Sequence, residues 1–415
     1  MEGLIVSFTH SNYCIKPTGT EKFVRNLSKI LKENNYNHLN FFSFYTDSTI
    51  VGVNYNDKFC GIYEYDKIID IILFYARENN YRIKMLHFQH ILNHKTSVLK
   101  QVVKKLKVPV CFVLHDYYLI CNQLKLIDSN NEFCGVTRPS EEKCKCCAYR
   151  NEGINHFESM QSFLKDINSY IYRIIAPSNY VAEKVKLIFP EFRNRIVVRP
   201  HLILTGEQEY KEEKSKIKLA YVGAQMKEKG YDDWKVLVET IRENCPDAYE
   251  LYYFGTGKQE IENVTNIYVS ISEQGDNAMI NNLRKYGIEC AFVWPNWAET
   301  YSYVYYELAL CGVFIISNDV SGNIYSEITK NKNGLVFQKR KEAVEWLLNI
   351  EDVQKRITEY KLNGAYRPQI SNVNTDLSDF LSSVDILQTV RMDNKPKTKV
   401  LKSIMYRVKY RKFHL

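Results

Sequence analysis

The sequence predicts an α/β protein of two doubly wound, Rossmann-like domains that face each other across a cleft. Apolar stretches of strand length alternate with helical stretches in both halves, as in parallel sheets covered by helices on both faces. A stretch at 201–216, polar and charged from Gly206 onward, interrupts this alternation and is interpreted as a linker. Each half opens with a strand that runs into a glycine-bearing loop, at Gly19 and at Gly223.

In the first half, the apolar run Gly3–Phe8 predicts a buried strand, and Thr20 is placed to cap the helix that follows. Five apolar residues of that helix recur at helical spacing, which predicts one buried face: Phe23, Val24, Leu27, Ile30 and Leu31. Further strands are predicted at Leu39–Phe44, Lys84–Phe88, Val108–Leu114, Tyr172–Ala176 and Ile196–Val198. Further helices are predicted at Lys67–Glu78, Thr96–Leu106 and Asn179–Ile188.

The second half repeats this pattern. Its predicted strands are Ile217–Val222, Glu250–Phe254, Cys290–Trp294 and Val313–Ser317, with a helix near Asp232–Arg242. The predicted division is a first domain at 1–203, a second at 204–370, a helical return segment at 371–393 and a basic tail at 394–415. Because ligands of open α/β sheets bind beyond the carboxyl ends of the strands, we expect the functional cleft between the two domains.

The net charge of +8 is concentrated in the tail, where residues 394–415 hold six lysines, two arginines and no acidic residue. The body is therefore close to neutral, which argues against a nucleic-acid-binding protein with a basic face on its folded domain. The chain has no apolar run of membrane-spanning length, and residues 1–10 lack the pattern of a secretory signal. We expect a cytoplasmic protein whose eleven cysteines are reduced.

Residues 294–309, WPNWAETYSYVYYELA, form the densest motif. A strand ends at Trp294, and Glu299 lies in the following loop, with Glu307 two turns into the next helix. Two carboxylates so placed can reach opposite ends of one extended ligand, a sugar at Glu299 and a ribose at Glu307. Unpaired amides at the helix start form an anion site suited to a diphosphate: Tyr301, Ser302, Tyr303 and Val304.

This motif resembles glycosyltransferase family 4, which carries two glutamates at the same separation. The resemblance implies a GT-B fold and a retaining transfer from a nucleotide-sugar donor. Glu299 would contact the donor sugar, and Glu307 the nucleotide ribose. Residues 221–230 resemble the family's next motif, in which an arginine and a lysine neutralise the diphosphate. Lys229 matches that lysine, whereas Ala224 stands where the arginine is often found and Lys227 would substitute for it.

Three further segments resemble the same family. Ser321 and Gly322, in the loop 319–323, match its glycine loop near the sugar. Gly19 and Thr20, in the loop 17–23, match the loop that approaches the donor phosphate and the acceptor, with Thr20 in place of a second glycine. His115 ends a buried strand, where the family has a histidine that hydrogen-bonds the donor sugar.

Two other clusters leave alternatives open. His87, His90 and His94 have ligand-like spacing, yet they straddle a strand end and a helix with no carboxylate nearby. An acceptor-side lining by His87 and His90, or plain surface, is favoured over a metal site. Five cysteines crowd one loop, and they are either free thiols or, for four of them, a structural zinc site: Cys121, Cys134, Cys144 and Cys147, with Cys146 competing with Cys121.

The predicted reaction is a front-side transfer with retention, in which Glu299, His115 and Lys229 are the catalytic residues. No catalytic metal or cofactor is expected beyond the nucleotide-sugar co-substrate. The acceptor would be a saccharide or lipid-linked saccharide, in surface polysaccharide biosynthesis. Two alternatives remain: a nucleotide-sugar epimerase on the same fold, and a non-catalytic nucleotide-sugar-binding protein, which Ala224 and Thr20 favour.

The tail has the pattern of a basic amphipathic helix over Lys399–Tyr410. One face is apolar, and Lys402 and Lys409 lie opposite; the apolar residues are Val400, Leu401, Ile404, Met405 and Val408. Such a helix lies in the headgroup plane of acidic lipid. We therefore expect peripheral attachment to the inner face of an anionic membrane, through an anchor separate from the catalytic body. A solvated terminus is the alternative, and nucleic acid is not expected as a partner.

Overall fold

The computed structural model describes residues 3–16, 18–207, 216–363, 366–382 and 396–410. The first domain contains an eight-stranded sheet of β1 (Gly3–Thr9), β2 (Tyr36–Phe42), β3 (Ile50–Tyr55), β4 (Lys58–Glu64), β5 (Arg82–Phe88), β6 (Val110–Val113), β7 (Ile171–Ala176) and β8 (Ile196–Val198). The strand order is β4-β3-β2-β1-β5-β6-β7-β8. Its helices are α1 (Gly19–Glu33), α2 (Ile68–Glu78), α3 (Thr96–Leu106), α4 (Arg150–Asp166) and α5 (Asn179–Ile188), with 3₁₀ turns at Tyr65–Lys67, Asn168–Tyr170 and Pro190–Arg195.

The first sheet is parallel except at one edge, where β2, β3 and β4 form an antiparallel meander. The hairpin between β3 and β4 turns at Asn56 and Asp57, which have φ angles of 47° and 66°. Asparagine and aspartate tolerate this left-handed conformation, and a two-residue turn of that kind matches the twist of the flanking strands. The alternation of strands and helices in the sequence does not predict this hairpin.

The second domain contains a fully parallel six-stranded sheet of β10 (Ile217–Val222), β11 (Tyr249–Gly255), β12 (Val264–Tyr268), β13 (Cys290–Phe292), β14 (Phe314–Asn318) and β15 (Gly334–Phe337). The strand order is β12-β11-β10-β13-β14-β15. Its helices are α6 (Tyr231–Asn244), α7 (Ile271–Gln274), α8 (Ala278–Tyr286), α9 (Tyr303–Ala309), α10 (Asn323–Asn331), α11 (Arg340–Leu348) and α12 (Ile350–Asn363), with a 3₁₀ turn at Lys227–Lys229. The predicted fold class, two facing Rossmann-like domains, is confirmed.

The strand order of each sheet reverses next to its first strand. The reversal lies between β1 and β5 in the first domain and between β10 and β13 in the second. Loops that leave neighbouring strands at such a switch point diverge to opposite faces of the sheet and open a crevice between them. In the second domain these loops are 223–230 and 293–302, the two segments that carry Lys229 and Glu299.

The chain crosses between the domains twice, and the two crossings pair. β9 (Leu202–Thr205) and β16 (Ile370–Val373) form an antiparallel ribbon. Beyond it, residues 374–382 return to the first domain, where Phe380 is fully buried and Arg199 donates to the carbonyls of Asn374 and Asp376. The predicted helical return segment is corrected, because its described part is strand and turn; residues 383–393 lie outside the described residues.

The tail helix, α13 (Val400–Lys409), packs on the edge strand β4 of the first domain. The Lys399 amide donates to the Ile62 carbonyl at 2.7 Å, and the Ile62 amide donates to Ser403 Oγ at 2.9 Å. Lys402 forms an ion pair with Asp47 at 2.7 Å. α13 is therefore docked on the first domain. In the described parts of the chain, every helix is too short or too polar to cross a membrane.

Candidate active site

The loop after β10 is tight on one side and open on the other. At Gly230, with φ of 83°, a Cβ would lie 2.1 Å from the Trp294 carbonyl oxygen, so any side chain there would push the turn off the neighbouring strand end. At Gly223, with φ of 128°, no described atom lies within 4 Å of the Cβ position. The space beside the Gly223 Cα is therefore open to the close approach of a ligand, whereas its amide donates to the Phe254 carbonyl and its carbonyl accepts from the Tyr253 hydroxyl.

Lys229 and Glu299 meet at this switch point. The Glu299 side chain is only 8% exposed, and Lys229 Nζ donates a hydrogen bond to its carboxylate. The same ammonium group lies 5.4 Å from the centre of the Trp297 ring, within cation–π range. Lys229 and Glu299, which are predicted from separate motifs, thus form an ion pair at the crevice.

The loop at 321–323 fixes the backbone of Glu299. The Glu299 amide donates to the Ser321 carbonyl at 3.2 Å, and the Glu299 carbonyl accepts from the Asn323 amide at 2.8 Å. A Cβ at Gly322, which has φ of 66°, would lie 2.7 Å from the Glu299 carbonyl oxygen. Ser321 Oγ is buried and donates to the Asn318 carbonyl. Ser321 and Gly322, predicted to touch the donor, are placed to position Glu299.

The start of α9 offers fewer amides than the sequence predicts. Ser302 caps the helix by accepting from the Tyr305 amide at 3.3 Å, and its own amide donates to Asn323 Oδ1 at 3.1 Å. The hydroxyl of Tyr301 is buried and accepts from the Leu202 amide. Within the described chain, the amides of Tyr303 and Val304 have no acceptor. The prediction of four open amides is therefore corrected at Ser302.

Glu307 lies deeper, where α9 faces the start of α1. Burial raises the pKa of Glu307 to about 7, and the positive charge of Lys22 opposes this rise. Lys22 Nζ also lies 5.0 Å from the centre of the Tyr303 ring, and a Cβ at Gly19 would touch that ring at 3.4 Å. The Gly19 loop and α9 therefore meet across the cleft, as the predicted donor site requires; Thr20 follows Gly19 at the start of α1.

His115 lies where the two domains join. Thr300 Oγ1 donates to the His115 carbonyl at 2.7 Å, and Tyr117 donates to the Ala298 carbonyl at 3.0 Å. Burial lowers the pKa of His115 well below its ordinary value, so the ring is neutral at pH 7. Its Nε2 is 3.3 Å from Gln89 Oε1, which leaves Nδ1 as an acceptor at the cleft.

Several buried polar atoms around the cleft have no hydrogen-bond partner among the described residues. They are Gln89 Nε2, Trp297 Nε1, the Tyr303 hydroxyl and His10 Nδ1. An unsatisfied buried polar group costs roughly 1–3 kcal/mol, so most proteins avoid several in one place. Their concentration here is typical of a ligand site.

The acceptor-side histidines have different environments. His90 Nδ1 accepts from the Leu92 amide at 3.2 Å and its Nε2 donates to Asp116 at 2.7 Å. Burial raises the pKa of Asp116, but His90 outweighs it and the pKa falls below its ordinary value. His87 is fully buried and donates to the Phe380 carbonyl at 2.8 Å. The predicted lining role is therefore corrected for His87, which holds the return segment instead.

The cysteine loop does not form a recognisable metal site. Among the described residues, no group of three or more histidine, cysteine, aspartate or glutamate side chains is arranged to hold a metal ion. Burial, then Cys144 and Cys147, raise the pKa of the Cys121 thiol, and burial with Asp128 and the other three thiols raises that of Cys134 to about 11. A zinc held by these cysteines stays a prediction that metal analysis would test.

Sequence reasoning missed four residues that line the cleft: Lys22, Gln89, Asp116 and Trp297. Three of them lie inside motifs that the sequence analysis identified: Lys22, Asp116 and Trp297. Their position in those motifs could have indicated that they line the cleft. Gln89 carries no such signal, because its contact with His115 depends on the pairing of β5 with β6. Lys227, in contrast, is exposed in the 3₁₀ turn, whereas Lys229 reaches Glu299.

Neither a scan against protein-family models nor a search of curated proteins gives a match. Solved structures do match. Sucrose-phosphate synthase from Thermosynechococcus elongatus has a TM-score of 0.55 at 12% identity, over 86% of this chain and 91% of that one. The pneumococcal O-GlcNAc transferase GtfA, in complex with UDP and GlcNAc, has a TM-score of 0.52 at 9% identity, over 88% and 94%. HepE from Anabaena, in complex with UDP-glucose, has a TM-score of 0.50 at 13% identity, over 86% of this chain and 92% of that one. The protein therefore has the GT-B fold of known glycosyltransferases.

Proposed function

We propose that the protein is a retaining glycosyltransferase of the family 4 type, which transfers a sugar from a nucleoside diphosphate sugar to a saccharide acceptor. The observation that carries this proposal is the Lys229–Glu299 pair at the second-domain switch point, with Glu307 buried on α9, the helix that follows Glu299. The cation complements the diphosphate, and the two carboxylates complement the hydroxyls of the sugar and of the ribose at the two ends of that diphosphate. The structures of HepE and GtfA in complex with UDP compounds suggest a uridine nucleotide as the first to test.

In the proposed complex, Lys229 and the open amides of Tyr303 and Val304 bind the diphosphate. Glu307 accepts hydrogen bonds from the ribose, and Glu299 and His115 from hydroxyls of the sugar. Glu299 has two oxygens, so it can keep one on Lys229 while the other faces the sugar. The neutral His115 suits this role, because its free Nδ1 accepts without placing a positive charge next to the anomeric carbon.

The bond between the anomeric carbon and the β-phosphate oxygen breaks, and the acceptor oxygen bonds to the same face of that carbon. The acceptor proton passes to the departing phosphate. The protein contributes by stabilising negative charge on the leaving diphosphate with preorganised donors, a term that mutagenesis in other enzymes puts at roughly 3–4 kcal/mol for one donor. The chain's own residues thus suffice to bind, orient and stabilise.

The proposal also includes attachment to an anionic membrane through α13. Its predicted apolar face points away from the body, with Leu401 and Val408 exposed by 72% and 65%. The described tail, 396–410, carries five lysines and arginines and no acid; Lys399 and Lys402 pair with carboxylates of the first domain, which leaves Lys397, Arg407 and Lys409 for the lipid. Co-sedimentation with phosphatidylserine-containing vesicles should therefore be strong and weaken with salt, and Leu401→Glu with Met405→Glu should abolish it. Membrane attachment through α13 is contradicted if the wild type binds only neutral vesicles, or if the variant with both Leu401→Glu and Met405→Glu binds acidic vesicles as the wild type does.

The proposed activity is tested by incubating the full-length protein with UDP-glucose, UDP-galactose and UDP-N-acetylglucosamine, each with and without a mixed set of octyl glycosides. Acceptor-dependent release of UDP, with a glycoside product that keeps the donor's anomeric configuration, is the expected result. Conversion of a donor to another UDP-sugar without acceptor indicates an epimerase instead. Donor binding with no turnover under any condition indicates a binding protein.

A further inference from the structure

A cavity of about 430 Å³ lies between α13 and the carboxyl ends of β1 and β2. This is within the range of roughly 300–1,000 Å³ that is usual for small-molecule sites. Residues from four separate parts of the chain line it, among them His10, Glu21, Ser43, Tyr45, Leu92 and Tyr406. The cavity is separate from the Lys229–Glu299 crevice, and the proposed donor contacts do not use it.

One wall of this cavity is aromatic and comes from the tail. The Tyr406 ring packs against Phe42, Phe44 and Phe59, with ring centres 5.7, 5.8 and 4.9 Å away. Its hydroxyl accepts from Asn12 Nδ2 at 3.3 Å. These contacts bury part of Tyr406 although the apolar face of the same helix is exposed. α13 therefore inserts one aromatic side chain into the first domain and completes the cavity there.

The opposite side of the cavity is polar and belongs to the segment that reaches the donor cleft. Glu21 is buried and accepts from the hydroxyls of Ser11 and Thr18, with His10 Nε2 3.4 Å from its carboxylate. The same segment continues into Gly19, which contacts the Tyr303 ring of the second domain. A ligand in the cavity would therefore lie beside the entrance to the proposed donor site.

Aromatic faces opposite hydrogen-bonding groups suit a sugar ring. The face of an aromatic ring is electronegative, so it attracts the polarised C–H groups on one side of a sugar, while carboxylate and hydroxyl groups bind the sugar's own hydroxyls. Lys16 and Glu21, whose formal charges are opposite, both line the cavity, so the lining favours neither an anion nor a cation, and a lipid chain would lie against polar groups on one side. The lining therefore favours an uncharged saccharide.

We propose that this cavity binds the saccharide end of the acceptor and that α13, through Tyr406 and Tyr410, is a wall of that pocket. The proposal rests on the proposed transferase function and deepens it. It also revises the expectation that the tail is a separable anchor: removing α13 would remove part of the acceptor site. With its apolar face turned outward, α13 would join the acceptor pocket to the membrane surface.

Binding of octyl glucoside, octyl galactoside and octyl N-acetylglucosaminide, below their micellar concentrations, is measured by saturation-transfer NMR on the full chain. Tyr45→Ala and Tyr406→Ala should each weaken binding of the recognised glycoside about tenfold or more. Tyr45 is 89% exposed, so its substitution cannot act by unfolding the domain. Leu401→Ala, on the exposed face of α13, is the matched control and should bind as the wild type does.

UDP affinity, measured in parallel by calorimetry, separates the two proposals. The inference predicts that all three variants bind UDP as tightly as the wild type. The inference is overturned if the wild type binds no glycoside, or if both Tyr45→Ala and Tyr406→Ala bind the glycoside as the wild type does. In either case, UDP binding by the wild type leaves the transferase proposal standing. A wild type that binds neither UDP nor another nucleoside diphosphate contradicts the proposed function instead.

Discussion

The donor-facing and acceptor-facing sides of the cleft are built in different ways. Apart from His115, the proposed donor site comes from three short stretches of the second domain, 223–230, 297–307 and 318–323, each at the end of a strand. The acceptor side gathers residues from 10–16, 18–21, 42–45 and 92–93 and from the tail, nearly 400 positions along the chain. A site built from strand-end motifs can be recognised in a sequence, whereas a site completed by a distant helix cannot.

Glu299 is expected to give the largest effect of any single residue on the donor side. Glu299→Ala should lower kcat/KM by roughly 30- to 1,000-fold, or about 2–4 kcal/mol, because it removes a charged contact to the donor sugar and releases Lys229 from its partner. Initial rates and thermal unfolding, with the exposed Glu260→Ala as control, check this. Near-normal turnover in a normally folded variant would mean that the pair does not lie at the reacting sugar.

Glu307 provides a test through pH. Its pKa of about 7 in the folded protein exceeds the ordinary 4.5, so stability falls as pH rises between these values and stays low above them. Glu307→Gln removes this penalty and should be more stable than wild type by about 3 kcal/mol at pH 8, with no difference near pH 4.5. It should also bind UDP less tightly. Stability is measured by urea unfolding. If Glu307→Gln and the wild type are equally stable at both pH values, Glu307 does not have the raised pKa of a buried carboxyl group.

His115 is expected to have a smaller effect, confined to the sugar. His115→Ala removes one neutral hydrogen bond, worth about 0.5–1.5 kcal/mol, so turnover should fall several-fold while UDP affinity stays unchanged. Steady-state kinetics and UDP calorimetry on the same preparation separate the two quantities. A parallel loss of UDP affinity would place His115 at the nucleotide and weaken the division between sugar and nucleotide contacts.

The sequence predicts the fold well because strand and helix periodicity are local. The predicted helices Thr96–Leu106 and Asn179–Ile188 match α3 and α5 residue for residue. It misses the β3–β4 hairpin, whose turn depends on the left-handed conformations of Asn56 and Asp57.

The candidate site is predicted less completely, because its partners are distant. The amide of Ser302 is occupied by Asn323, from a loop that packs on Glu299, and His87 is taken up by the carbonyl of Phe380, almost 300 residues away. In the tail, the pattern indicates an apolar face. It does not indicate that Ser403 and Tyr406 on the other side bind the first domain. The local sequence shows which residues share one face of a helix, but it does not show which face packs against another part of the protein.

The central claim, a nucleoside diphosphate site at the second-domain switch point, is tested most directly by titrating UDP and UMP into wild type, Lys229→Ala and Lys227→Ala. We predict that wild type binds UDP more tightly than UMP. Lys229→Ala should lose about tenfold in UDP affinity, or 1.4 kcal/mol, with little change for UMP, and Lys227→Ala, exposed in the same turn, should lose less. Equal losses for UDP and UMP, or no binding of UDP or any other nucleoside diphosphate by wild type, would contradict the claim.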